Sequence, residues 1–529
     1  MRRLTILACV ATLTDVATLL CVVALAPASA RAGQTQESIF QDDNHLVFSP
    51  TATVEHTLAI LRSLGVQRVR VNVEWAVIAP SATSALRPAG FDAADPADYP
   101  AAGWVLYDRV LKLAERDGIG VEFNITSPGP LWAMRQHPPT ARAANHWVPN
   151  PEELYRFAYA LGRRYSGAYE QIPRVHVWSI WNEHNQPGWL APQWGTAAGG
   201  PVADSPRLYR ACVQAVYAAL VRSGHAAGRD TILIGELASE GSSASGFYTA
   251  MKPMPFLRAL YCVDGEYRPV RGASAAALGC PTGRRRAQFV RANPGLFDAT
   301  GFAHHPYSFL LAPAVGSPDP DFVPLADLGR LERGLDRALH AYGINRRMPI
   351  YVTEYGYQTN PPSLYQIVTP ATQAGYLNQA DYIAWRDPRV RSVAQFLLYD
   401  SGPDFRFRPA DFYYWDRFQS GLLFADGRRK PAYAAYRMPI WIPAPHVSRG
   451  GRMLVWGQLR PAPHVREHAE IQWRGSRGGF RTVATVTTTN RRGYLTARVR
   501  PAGSGEIRIA WRAPGGRVLA SRRVPVRVR

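Results

Sequence analysis

Cysteine is scarce in this chain: five in 529 residues, two of which (Cys9 and Cys21) fall in an apolar leader. Cys212, Cys262 and Cys280 remain, and no cysteine/histidine spacing reads as a structural zinc site. No glycine-rich phosphate loop follows the first strand-like segment, so a doubly wound nucleotide-binding sheet lacks support. Past Leu25 no uninterrupted apolar run approaches membrane-spanning length. Charged residues make up only 19% of the chain against 47% hydrophobic, a globular and not a disordered balance. Negative charge is almost missing from the C-terminal end. From His446 to Arg529 there are 18 arginines, no lysines and three acids (Glu467, Glu470, Glu506). That stretch carries about +15 of the net +21, and the preceding 445 residues share +6.

What is present begins with an export signal over residues 1–32. Met1-Arg-Arg supplies the charge, Leu4 to Leu25 the apolar run (broken by Asp15), and Ala28-Ser-Ala30 or Ala30-Arg-Ala32 the cleavage site. The expected localisation is extracellular, an uncleaved N-terminal anchor being the alternative. In an oxidising compartment Cys262 and Cys280, flanking a Gly/Arg/Ala-rich loop, are the expected disulfide. Cys212 sits in a helical pattern and reads as a buried thiol. The arginine-rich end suits an anionic cell-wall or extracellular polymer, and export argues against nucleic acid. A solvated arginine-rich face with no partner is the alternative.

Strand-like and helix-like segments then alternate. Strands are expected near 38–48, 66–75, 120–125, 175–183, 231–235, 299–305, 348–354 and 390–399, with amphipathic helices between them. The second strand is the most informative. Val69, Val71, Val73 and Trp75 share one face and Arg70, Asn72 and Glu74 the other, as a barrel strand with a polar lumen and helix-covered exterior would have it. Eight such alternations over residues 38–440 predict an α/β fold, a (β/α)8 TIM barrel. Helix-to-strand links are short and strand-to-helix segments long, so the elaborated loops fall on the C-terminal face. After Pro439-Ile-Trp-Ile-Pro-Ala-Pro445 the texture changes to short alternating strands. A small all-β, immunoglobulin-like sandwich is expected over 446–529, with Trp456, Trp473 and Trp511 in its core.

The strand ends carry the chemistry. Val175 to Glu183 is a buried run stopped by Asn182-Glu183, followed by His-Asn-Gln-Pro-Gly-Trp189. Glu236 ends the fifth strand, His304, His305 and Tyr307 the sixth, Glu354 the seventh, and Tyr399 with Asp400 the eighth. In a barrel all converge on one face, where two facing carboxylates are what glycosidic cleavage requires. Arg70 would hold one ionised while burial or a like charge raises the other's pKa.

These residues resemble glycoside hydrolase clan A, in texture closest to families 5 and 39. Asn182-Glu183 and Glu354 match its strand-four and strand-seven glutamates. Val69 to Trp75 resembles its strand-two arginine motif, His305-Pro-Tyr307 its His-x-Tyr, and Thr353-Glu-Tyr-Gly356 its nucleophile motif. The resemblance implies a retaining β-glycosidase without a cofactor or metal, acting on an oligo- or polysaccharide. Glu183 would be the acid/base and Glu354 the nucleophile. Asn182 would bind the 2-hydroxyl, Tyr307 and Arg70 would support Glu354, and His305 would line the donor subsite. Glu236, Tyr399 and Trp189 are candidate substrate contacts. One departure is plain: no tryptophan ends strand eight, so Tyr399 or Trp415 would have to replace that platform. A transglycosylase of the same mechanism and a non-catalytic carbohydrate-binding protein are the alternatives. A metallohydrolase is disfavoured, because adjacent His304 and His305 point to opposite faces of a strand.

Overall fold

The computed structural model describes residues 35–529 apart from 136–137, 198–199, 227, 284–285, 416–417 and 464; the expected export signal lies outside them. Eight parallel strands close into a barrel: β1 (Glu37–Gln41), β2 (Arg68–Glu74), β3 (Gly120–Thr126), β4 (Val177–Ile180), β5 (Thr231–Ala238), β6 (Gly301–His305), β7 (Ile350–Val352) and β8 (Val390–Phe396). Each pairs with its sequence neighbour, and β8 returns to β1. Helices cover the outside, where Val69, Val71 and Val73 of β2 are fully buried against them. The helix Pro151–Arg164 starts where sequence chemistry puts it: the Asn150 side chain accepts from the Glu152 and Glu153 amides, and proline opens the first turn.

Most strands are shorter than their sequence patterns, although β5 runs on to Ala238. β1 stops at Gln41 because the Asp42 carboxylate caps a short helix, Asp43–Leu46, in place of a continued strand to residue 48. β4 ends at Ile180, β7 at Val352 and β8 at Phe396, so the reactive side chains sit on the turns beyond the sheet. Trp181 (φ 62°), Glu183 (φ 32°) and Leu397 (φ 73°) on those turns, and Glu236 (φ 58°) within β5, hold left-handed backbone without being glycine. Such strain gathers at functional sites, where the surrounding packing over-determines it.

Beyond the barrel two further sheets share a second core from Met438 to Val526. One contains Ile440–Trp441, Met453–Gln458 and Tyr494–Val499; the other is built on Glu467–Arg474, Arg481–Thr488, Gly505–Arg512 and Val524–Val528. Pairing is antiparallel except between His446–Val447 and Val524–Val528. Trp511 is core, while Trp456 turns toward the barrel and meets Tyr382 (5.6 Å) and Trp385 (5.8 Å) of the helix Pro370–Arg386. Part of the arginine excess is consumed here. Arg460 donates to Asp381 at 2.9 Å, Arg492 to Glu37 at 3.2 Å and Arg522 to Asn378 at 2.9 Å. Gly65 ends the helix Thr51–Leu64 in left-handed backbone, and a Cβ there would collide with the Arg460 carbonyl. Cys262 and Cys280 are disulfide-bonded. Cys212 is a buried thiol, its pKa pushed up to about 12 by burial. Among the described residues no helix is long and apolar enough to cross a membrane.

Candidate active site

The floor of the C-terminal mouth is a buried charge network around Arg70. Alternation along β2 turns this side chain into the lumen, where it has no exposed surface. Its guanidinium donates to Gln41, to Glu354 Oε1 (2.9 Å), to Asn182 Oδ1 (2.7 Å) and to Glu236 Oε2 (2.9 Å), with Glu122 3.9 Å from Nε. Burial disfavours its charge, but Glu236, Glu354 and Glu122 overcome this and raise its pKa further. Arginine suits the place because its rigid fork serves several acceptors at once.

His305, at the tip of β6, is the second cation. It faces Glu183 Oε1 from Nδ1 (2.9 Å) and Glu236 Oε2 from Nε2 (2.6 Å), and lies 3.7 Å from Glu354. Burial opposes its protonation, yet Glu354, Glu183 and Glu236 raise its pKa to about 10. As an imidazolium it donates from both nitrogens. Glu236 mirrors it: burial alone would raise its pKa, but Arg70 and His305 lower it to about 2. Thr353 adds a third donor to the same oxygen, at 2.9 Å. The fifth strand delivers Glu236 through a bulge, since register shifts between Gly235 and Leu237. Gly235 (φ 107°) permits it, because a Cβ there would collide with the Ala303 carbonyl.

Above this floor lies a cleft of about 860 Å³. Glu183 and Glu354 both line it, with Asn182, Tyr307 and Trp189. One oxygen of each glutamate and one His305 nitrogen all lie within 4.8 Å of one another. Glu354 accepts from Arg70 and from the Tyr307 hydroxyl (3.1 Å). Burial raises its pKa above the ordinary value, with His305 and Arg70 pulling the other way. Glu183, by contrast, has His305 as its side-chain hydrogen-bond partner and is 20% exposed. Glu183, His305 and Glu354 are also close enough to share a cation.

One sequence expectation needs correction and three need refinement. Glu236, expected as a candidate substrate contact, is fully buried and pairs with Arg70 and His305. Tyr399 does not line the cleft; its ring lies on His45 at 4.4 Å, because β8 ends three residues earlier. Phe396, Leu397 and Phe418 line the cleft there. His305 touches Glu183 from beneath and presents no surface of its own. Arg70 pairs with Glu236 as well as with Glu354. His304 bonds the Val323 carbonyl at 2.8 Å, and Asp400 pairs with buried Lys430 at 2.7 Å; both are structural.

Three acids went unassigned in the sequence. Asp43 lines the cleft; burial raises its pKa to about 6 despite bonds from the Gln41 side chain and the Asn72 amide. Glu74 also lines it, raised to about 7 by burial and by Asp43. Glu122 is fully buried and raised to about 7 by burial and by Glu236. Glu74 was signalled by its place on the polar face of β2. Asp43 was hidden because Gln41 to Asn44 reads as a continuing strand.

The network sets a pH window for stability. The raised pKa of His305 stabilises the fold fully below its ordinary 6.5, and that contribution is lost as pH climbs toward about 10. The lowered pKa of Glu236 stabilises above its ordinary 4.5 and is lost as pH falls toward about 2. Asp43, Glu74 and Glu122, held raised, lose stability as pH climbs from their ordinary 3.8 and 4.5 to about 6 for Asp43 and about 7 for the two glutamates. The thermal midpoint is therefore expected to peak at about pH 4 to 4.5 and to fall through neutral pH, and Glu236→Gln to flatten the acid limb. A midpoint that climbs steadily to pH 9 would contradict this.

No family model matches the chain, and no curated protein matches it. Several solved structures are similar to it. A GH5_18 structure from Streptomyces cattleya in complex with GlcNAc is 15% identical over 77% of this chain and 79% of that chain, with a TM-score of 0.43. A GH5_18 structure from Bifidobacterium longum subsp. longum is 12% identical over 76% and 78%, with a TM-score of 0.41. A family 5 glycoside hydrolase from Bacteroides vulgatus is 9% identical over 89% and 93%, with a TM-score of 0.38. Identities and TM-scores this low carry no argument about activity, which falls to the side chains of the cleft.

Proposed function

We propose that the chain hydrolyses O-glycosidic bonds of a poly- or oligosaccharide with retention of configuration, by double displacement. The observation that carries this reading is the carboxylate pair. Retaining glycosidases keep their carboxyl groups about 5–5.5 Å apart, and inverting ones leave a wider gap of about 6.5–9.5 Å to admit water. An oxygen of Glu183 and one of Glu354 within 4.8 Å fits the first arrangement.

Glu354, given donors by Arg70 and Tyr307, attacks the anomeric carbon. Glu183 protonates the departing oxygen, and the same group then takes a proton from the water that releases the sugar. Six carboxyls (Asp43, Glu74, Glu122, Glu183, Glu236, Glu354) surround two cations, so the site retains protons that belong to the cluster and not to one residue. Asn182 grips the 2-hydroxyl and Trp189 packs on the rim. The substrate would be met outside the cell, after export, with an anionic polymer as partner of the arginine-rich region.

Glu183→Ala tests the assignment through leaving-group dependence. Glycosides with a good aryl leaving group, which need little protonation, should keep most of their glycosylation rate. Those with poor leaving groups should lose about 10²–10⁴-fold, the usual range for general acid catalysis. Equal losses on both would rule out Glu183 as the acid.

A further inference from the structure

A second hollow of about 480 Å³ adjoins the cleft, with Pro187 and Gly188 lining both. Its other walls are Thr140, Ala143 and His146, from the segment after β3, and Tyr248, from the segment after β5. We propose that this hollow is a subsite for a neutral, hydroxylated sugar unit on the leaving-group side of the scissile bond, so that the enzyme cleaves within chains. The inference rests on the glycosidase reading of the site and adds to it where the substrate chain runs.

The placement is argued from the loops. Pro187 and Gly188 follow Glu183 by four and five residues, so a chain leaving the hollow over this ridge meets the proton donor first. Other lining comes from different strands: Asp43 after β1, Glu74 ending β2, Phe396 ending β8 and Leu397 just beyond it. The hollow and that lining therefore come from different strand ends. The chemistry of the lining agrees. Among the described residues it has no acid, lysine or arginine, and offers the Tyr248 ring, the His146 imidazole and the Thr140 hydroxyl, groups that suit an uncharged pyranose. Tyr248 is 41% exposed, leaving ring surface for a sugar face. Its hydroxyl lies 3.2 Å from Thr140 Oγ1, which ties the two loops together and fixes the ring. Neighbouring Phe247 stacks edge-on against Trp147 at 6.2 Å and anchors the loop from behind.

The test compares the full chain with its Tyr248→Ala and Tyr248→Phe variants on oligosaccharides of rising length and on aryl glycosides of one sugar. The ratio of kcat/KM for a long oligosaccharide to that for the aryl glycoside should fall about tenfold in Tyr248→Ala, a loss the size of one ring-stacking contact. Most of it should return in Tyr248→Phe, which keeps the ring. An unchanged ratio overturns the proposal, because a merely structural role lowers both rates together. A wild-type chain that turns over no glycoside of any length overturns the glycosidase reading instead. Calorimetric titration of the oligosaccharide into wild type and Tyr248→Ala then decides the hollow alone: weaker binding by the variant supports it and equal binding overturns it.

Discussion

Glu354→Gln is expected to lower kcat/KM by about four orders of magnitude or more, the scale on which an enzyme loses its nucleophile. The amide is isosteric with the carboxyl but cannot form the glycosyl ester. Its one carbonyl oxygen can still accept from Arg70, while the amide N–H2 in the other position can donate to the Tyr307 hydroxyl, so the site loses one acceptor but keeps its shape. The fold should survive, because Glu236 and Glu122 remain beside Arg70 as counter-ions. The companion experiment uses Glu354→Gly with azide. A small anion can enter the vacated volume and attack the anomeric carbon directly, giving a glycosyl azide of configuration opposite to the wild-type product. Glu183→Gln, an equally conservative change, should also be inactive on natural linkages but should show no such inverted azide product. Full turnover by Glu354→Gln would end the double-displacement reading.

Arg70→Met should show the largest loss of stability among single substitutions at the site. Removing one partner of a buried charge network leaves the others uncompensated, which costs about 3–5 kcal/mol. Here Glu236, Glu354 and Glu122 would share a dry pocket with His305 as the remaining cation. At neutral pH the barrel transition should move to clearly lower urea, and lowering the pH toward 5 should recover part of the loss by protonating the orphaned acids. Adding Glu236→Gln to Arg70→Met should recover some stability as well, since it deletes one surplus charge; two contacting residues are not expected to behave additively. Activity should fall with stability, because Glu354 loses a donor that favours its ionised form. A midpoint shift equivalent to under about 1 kcal/mol, typical of a surface residue, would refute the picture of Arg70 as the hub.

Much of the architecture could be read without coordinates because its signals are local. Valine alternating with Arg70, Asn72 and Glu74 identifies a lumen strand through the two-residue period of the pleat. Repetition of strand and helix identifies the barrel, and the sudden loss of helical spacing after Pro445 identifies an all-β end. Asn182-Glu183 and Glu354 stood out because polar residues ending buried strands are hard to explain by packing.

The misreadings have a common origin at the strand ends, where backbone geometry overrides periodicity. Asp42 caps a helix turn and so swings Asp43 into the cleft, while the sequence reads as continuous strand. Leu397 turns left-handed and takes Tyr399 out of the site that a straight strand would have reached. The bulge at Gly235 sinks Glu236 beneath the floor, making it a counter-ion.

The sequence alone therefore determined the order of elements, the polar face of β2 and which glutamates end which strands, since each depends on neighbours a few residues apart. Only tertiary structure decided that Glu183 and Glu354, 171 positions apart, hold oxygens within 4.8 Å, and that His305 bridges Glu183 to Glu236. Those distances arise when eight strands close into a ring, and ring closure has no local signature.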